Sequence, residues 1–190
     1  MASIIRQKQS ILDKPLNKGK VEINIGTFAL LFSEIVQYAQ NRVYTVPELQ
    51  NRLSELGQHV GVRILDVVFF REKNFKRETK VVNMLNFIKG NLWKVRLLFY
   101  NFCRFRTNVT NLDNITDYII EKEPLVNKFI SVPKDKGNLN CAAFTAGIIE
   151  AVLNGCNFPA KVTVHRHKGT TYMIKFDESV ITRDKSIEGR

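Results

Sequence analysis

The chain has 190 residues, of which 44% are hydrophobic and 25% charged, with a formal net charge of +11. That length suits one domain, and the apolar share is enough for a core, which excludes wholesale disorder. The positive balance favours anionic partners: acidic proteins, phospholipid head groups or nucleic acid.

Residues 1–20 are polar and basic, with Pro15 and Gly19, and read as a flexible basic N-terminal arm. The opening "MASIIRQKQS" lacks the apolar run of a signal peptide, and Ala2 breaks the myristoylation pattern. Three sparse cysteines, Cys103, Cys141 and Cys156, do not make a disulfide framework, so a reducing, cytoplasmic setting is expected. No run is long and apolar enough to span a bilayer. The sequons at Asn108 and Asn114 are read as chance matches.

From residue 21 onward the chain reads as a single domain. Asn24 is placed to cap a helix running to Gln40. Phe28, Leu31, Phe32, Ile35, Val36 and Ala39 recur at helical spacing, and Leu30 and Tyr38 widen the apolar surface. One face meets the core; the excess is available to a partner. Phe28, Leu31, Phe32, Ile35 and Tyr38 are therefore the expected partner-binding residues. Thr45 and Glu48 match a capping box, and Leu49, Leu53 and Leu56 form the stripe that follows. Gly57 reads as that helix's end, with a second helix restarting through Val60, Ile64, Leu65, Val68 and Phe69. Another helical stretch follows Arg77, interrupted at Gly90.

After about residue 115 the period changes. "TDYIIEKEPLVNKFISVP" reads as two short strands hinged at Pro124, and a helix is expected from about Asn140. "AKVTVHRH" and "TYMIKFD" alternate as half-buried strands joined at Lys168, Gly169 and Thr170. The fold class is α+β: several helices packed on an antiparallel sheet.

Candidate chemistry is sparse. His165 and His167 share a strand face, yet no third ligand is evident and Arg166 and Lys168 add repelling charge. Cys141, at a helix start, lacks the base and oxyanion site of a nucleophile and reads as a small buried residue. No phosphate loop, dinucleotide fingerprint or nucleophile elbow is present. The basic, aromatic segments near residues 71–80 and 92–106 carry no nucleic-acid motif. No catalytic residue, metal, cofactor or nucleic-acid partner is expected.

Gly57 to Asp66, Arg77-Glu78-Thr79, Glu123-Pro124-Leu125-Val126, Val132-Pro133 and Gly147 to Leu153 occur in the order that resembles the Bet-type small subunits of the transport protein particle, TRAPP. The resemblance spans about residues 20–190 except for 95–116, apolar and basic where the family has an acidic linker. It implies helices over a twisted four-stranded antiparallel sheet. It also implies a non-enzymatic scaffold in a tethering and Rab nucleotide-exchange complex of ER-to-Golgi transport. Such a subunit is peripheral on ER and cis-Golgi membranes and pairs with the Bet-type subunit 3 and the longin-like sedlin subunit. It meets a Rab GTPase only through the assembled complex, and an acidic membrane surface peripherally. The acylated cysteine of some relatives is missing, since its position falls within Arg71 to Arg77. A small-residue helix at Ala142, Ala143, Ala146, Gly147 and Ala151 is expected to press on the sheet. Arg63 is expected in a buried or interface ion pair. The competing reading is a small apolar ligand-binding module of the same fold, with a channel lined by Phe69, Phe87 and Trp93.

Overall fold

The computed structural model describes residues 24–71, 78–92, 106–108, 116–134, 137–167 and 169–188. The basic arm, Trp93, Cys103, Asn114 and residues 72–77 lie outside them.

Helix α1 spans Ile25–Gln40, and the Asn24 side chain accepts the Gly26 N–H at 2.8 Å. Helix α2 starts at Val46 behind the expected capping box. Thr45 Oγ1 accepts the Glu48 N–H at 3.4 Å, and Glu48 Oε2 accepts the Thr45 N–H at 3.3 Å. The helix does not stop at Gly57; it runs unbroken over Val46–Arg71. Gly57 is a contact point instead. A Cβ there would overlap the Phe144 carbonyl, one on Gly147 would overlap the Ser54 carbonyl, and one on Gly61 would lie 2.8 Å from Ala151 Cβ. Helix α3 spans Val81–Phe87 and ends in a π-helical turn, Ile88–Leu92, which contains Gly90.

The sheet contains β1 (Arg106–Asn108), β2 (Thr116–Glu121), β3 (Ala160–Arg166) and β4 (Thr170–Phe176). Its order is β1-β2-β4-β3, with every neighbouring pair antiparallel. The α+β expectation is met, but its assignments change around Pro124. Only the first half of "TDYIIEKEPLVNKFISVP" is a strand. After Pro124 the chain makes one helical turn, α4 (Leu125–Lys128), which buries Val126 and is tied by Asn127 Nδ2 to Asn140 Oδ1 at 2.8 Å. The edge next to β2 is taken instead by β1.

Helix α5 spans Ala143–Gly155 and lies between α2 and the sheet, with every side chain from Ala143 to Leu153 buried. The small-residue stripe therefore serves mainly the close approach to α2, where the glycines allow backbone to meet backbone. Glu150 is the one acid in that run. It accepts from Gln58 Nε2 at 2.8 Å, Lys161 Nζ at 3.2 Å and the Val162 N–H at 2.9 Å. With Asn154 Oδ1 accepting the Ala160 N–H at 3.1 Å, it satisfies the outer donors at the start of β3. Such capping hinders another strand from adding to that edge. Gly169, at φ 116°, makes the β3–β4 turn, and the His167 N–H donates to its carbonyl at 3.1 Å. A final helix, α6 (Glu178–Glu188), packs Val180 inward and lends Asp184 Oδ1 to the Val81 N–H at 3.1 Å. Lys80, the residue before α3, gives no side-chain cap, so α6 supplies one from a distance.

Candidate partner interface

Two registers of apolar residues run along α1. Phe32, Val36 and Ala39 are buried. The Phe32 ring stacks on Phe28 at 5.8 Å between centroids and meets Phe144 edge-on at 5.4 Å, so it belongs to the core. Phe28 and Ile35 are half-buried beside it. Leu31 and Tyr38, two turns apart on the flank beyond them, remain 60% and 52% exposed. The five expected partner residues thus divide: Phe32 faces inward, Leu31 and Tyr38 face out, and Phe28 and Ile35 form the shoulder between. Leu30 is 73% exposed but sits farther round the helix.

The shoulder continues past the helix end. Arg42 donates from Nη1 to the Tyr38 carbonyl at 3.1 Å and places its guanidinium 3.5 Å from the Tyr38 ring centre. Tyr44 is fully exposed on the turn into α2. Two exposed tyrosines and an arginine are residue types that carry binding energy at interfaces. The sequence reading missed Arg42 and Tyr44; the signal was an arginine four residues after Tyr38, within reach of its ring on a helix.

The remaining candidates take structural places. Burial pushes the Cys141 thiol up to about 11, with Arg166 pulling the other way, and burial alone pushes Cys156 to about 11. A helix start does not activate a thiol that is buried this way. Arg166 donates to the carbonyls of Gly137 and Leu139 at 3.0 and 2.7 Å, clamping that loop to β3. His165 and His167 are exposed, and His165 Nε2 lies 3.0 Å from Thr163 Oγ1. Arg63 is exposed on α2, which removes the buried alternative of its expected buried or interface ion pair. Phe69 stacks on Phe87 at 5.7 Å.

Residues 28–177 match the family model described as "Transport protein particle (TRAPP) component". The chain belongs to the TRAPP component family. Several relatives are named "Trafficking protein particle complex subunit 5". That of Gallus gallus is 55% identical, with 97% of each chain covered. That of Homo sapiens is 52% identical, covering 100% of this chain and 99% of the relative. A crystal structure of trafficking protein particle complex subunit 3 from Naegleria fowleri, covalently bound to palmitic acid, superposes with a TM-score of 0.63 at 14% identity. It covers 82% of this chain and 96% of its own. At that identity the likeness speaks for the TRAPP fold alone.

Proposed function

We propose that this TRAPP component is a non-enzymatic scaffold subunit of the tethering and Rab nucleotide-exchange complex in ER-to-Golgi transport. It works peripherally on ER and cis-Golgi membranes, and a Rab GTPase meets it only through the assembly. The observation that carries the reading is the exposed α1 shoulder on a chain of this family. Leu31, Tyr38, Arg42 and Tyr44 offer a surface that the fold itself leaves uncovered, with half-buried Ile35 beside them. It pairs with the Bet-type subunit 3, while the longin-like sedlin subunit takes another face. The basic arm, with Arg6, Lys8, Lys14, Lys18 and Lys20, adds an attraction to acidic membrane.

The test separates interface from core. In co-purification, Leu31→Asp with Tyr38→Asp should leave the chain folded and abolish pairing with the Bet-type subunit. Phe32→Asp should instead unfold it, since a charge would enter a site that is 3% exposed. Wild-type pairing by the folded double variant would move the interface elsewhere.

One observation favours a ligand module as the second reading: the Naegleria relative is bound to palmitic acid. Arg71 to Arg77 contain no cysteine, so an acyl chain here would be held without a thioester at that position. Native mass spectrometry of the purified chain decides: a co-purified fatty acid supports this reading, and a bare chain counts against it.

A further inference from the structure

The sheet has a second face, turned away from α5. Ile119, Val162, Tyr172, Ile174 and Phe176 point into the core, so the residues between them point outward. The register aligns these in rows: Lys161 beside Lys175, and Thr163 beside Met173 beside Tyr118. The third row is His165 beside Thr171 beside Ile120. Lys161, His165, Lys175 and Tyr118 are exposed, and Thr163, Met173 and Ile120 are half-buried.

Charge is sorted across the sheet. The acids of β2, Asp117 and Glu121, have the parity of the core face, where Tyr172 donates to Glu121 at 2.9 Å. The lysines of β3 and β4 have the opposite parity and stand directly across from each other. Like charges in that position disfavour the sheet. Among the described residues, Glu150 at the sheet edge relieves Lys161, and no such acid pairs with Lys175. An unfavourable pair kept on an open face is the kind of local rule-breaking that marks a working surface.

We propose that this face docks an acidic surface of another polypeptide of the complex, a second contact distinct from the α1 shoulder. The inference rests on the reading of the chain as a complex subunit. Two lysines bordering one side of the Thr163–Met173–Tyr118 row complement carboxylates beside a small, partly apolar patch. A lipid surface fits less well. It calls for cations free to reach head groups and for aromatics that protrude. Here the Lys161 ammonium is drawn sideways to Glu150, and Tyr118 is only 36% exposed. Single-stranded nucleic acid calls for several stacking aromatics, and the strand residues of this face supply one.

The test uses the full chain, alone and in the reconstituted complex. Amine acylation read by mass spectrometry should show Lys161 and Lys175 several-fold less reactive after assembly. Lys175→Glu turns the like-charged pair into an opposite-charged one. Its unfolding midpoint should equal or exceed that of the wild type, while co-assembly weakens about tenfold. Retained lysine reactivity in the complex, or wild-type assembly by Lys175→Glu, would overturn the proposal. So would protection that arises only with phosphatidylserine vesicles or a single-stranded RNA oligonucleotide. Pairing through α1 is scored separately in the same samples by co-purification of the Bet-type subunit. Its loss would undo the scaffold reading; its persistence with unprotected lysines would undo only this one.

Discussion

Asp117 carries a carboxyl held above its ordinary 3.8, first by burial and then by the Asp184 carboxylate. The sign follows from proton linkage. A carboxyl with a raised folded-state pKa contributes its full stability below the unfolded value and loses it as pH rises through the folded one. At neutral pH the ionised group therefore works against folding. Asp117→Asn should be more stable than the wild type at pH 7, and the difference should shrink as pH falls toward about 4 and be absent below it. Urea midpoints across that range check it; an Asn variant with no advantage at pH 7 would show that the carboxylate finds compensation. The cysteines lead to a second expectation at this scale. With pKa values of about 11, Cys141 and Cys156 hold about one thiolate per ten thousand thiols at pH 7. Iodoacetamide mapping should find both labelled slowly in the native chain and rapidly in urea.

At the scale of elements, the α2–α5 crossing decides the fold's spacing. A glycine within a helix costs about 1 kcal/mol relative to alanine, so Gly147→Ala should help α5 taken alone. In the folded chain the new Cβ would collide with the Ser54 backbone, which cannot rotate away as a side chain does. Overpacking of this kind costs about 1–3 kcal/mol, sometimes more, and outweighs the gain. Thermal melts should place Gly147→Ala several degrees below the wild type; an unchanged midpoint would mean that the helices separate freely. Glu150 links three elements through its accepted hydrogen bonds, one from the buried Val162 N–H. Glu150→Ala leaves those donors without it and should cost about 1–3 kcal/mol in urea unfolding.

For the whole molecule, the consequential property is charge. No described helix is long and apolar enough to cross a membrane. A net +11 instead provides reversible attraction to anionic surfaces, about 1 kcal/mol for each basic residue near them and less at high salt. The full chain should float with phosphatidylserine vesicles at low salt and release at high salt, and deletion of residues 1–20 should weaken that binding. Flotation indifferent to lipid charge would assign the basic residues to protein contacts. A purified chain should also leave nucleotide release from a Rab at its uncatalysed rate; acceleration matching that of the whole complex would contradict the scaffold role.

Much was legible without coordinates where the signals are local. Asn24 and the Thr45–Glu48 box mark helix starts because their side chains bond within the next turn. The alternation in β3 and β4 declares two strands because each residue's face depends only on its neighbours. The excess apolar surface of α1 is visible in the same way. Tertiary structure decided the rest, because long-range partners chose between locally equal alternatives. Gly57 suited a helix end, but Phe144, far along the chain, made it a crossing point inside one long helix. Val126 fitted a strand until burial in the core and the Asn127–Asn140 bond settled a helical turn. α6 is too polar for a clear stripe and stands out only once Asp184 is seen to cap α3. Phe32 and Leu31 are adjacent apolar residues of one helix, and only the position of Phe144 tells which is core and which is open to a partner.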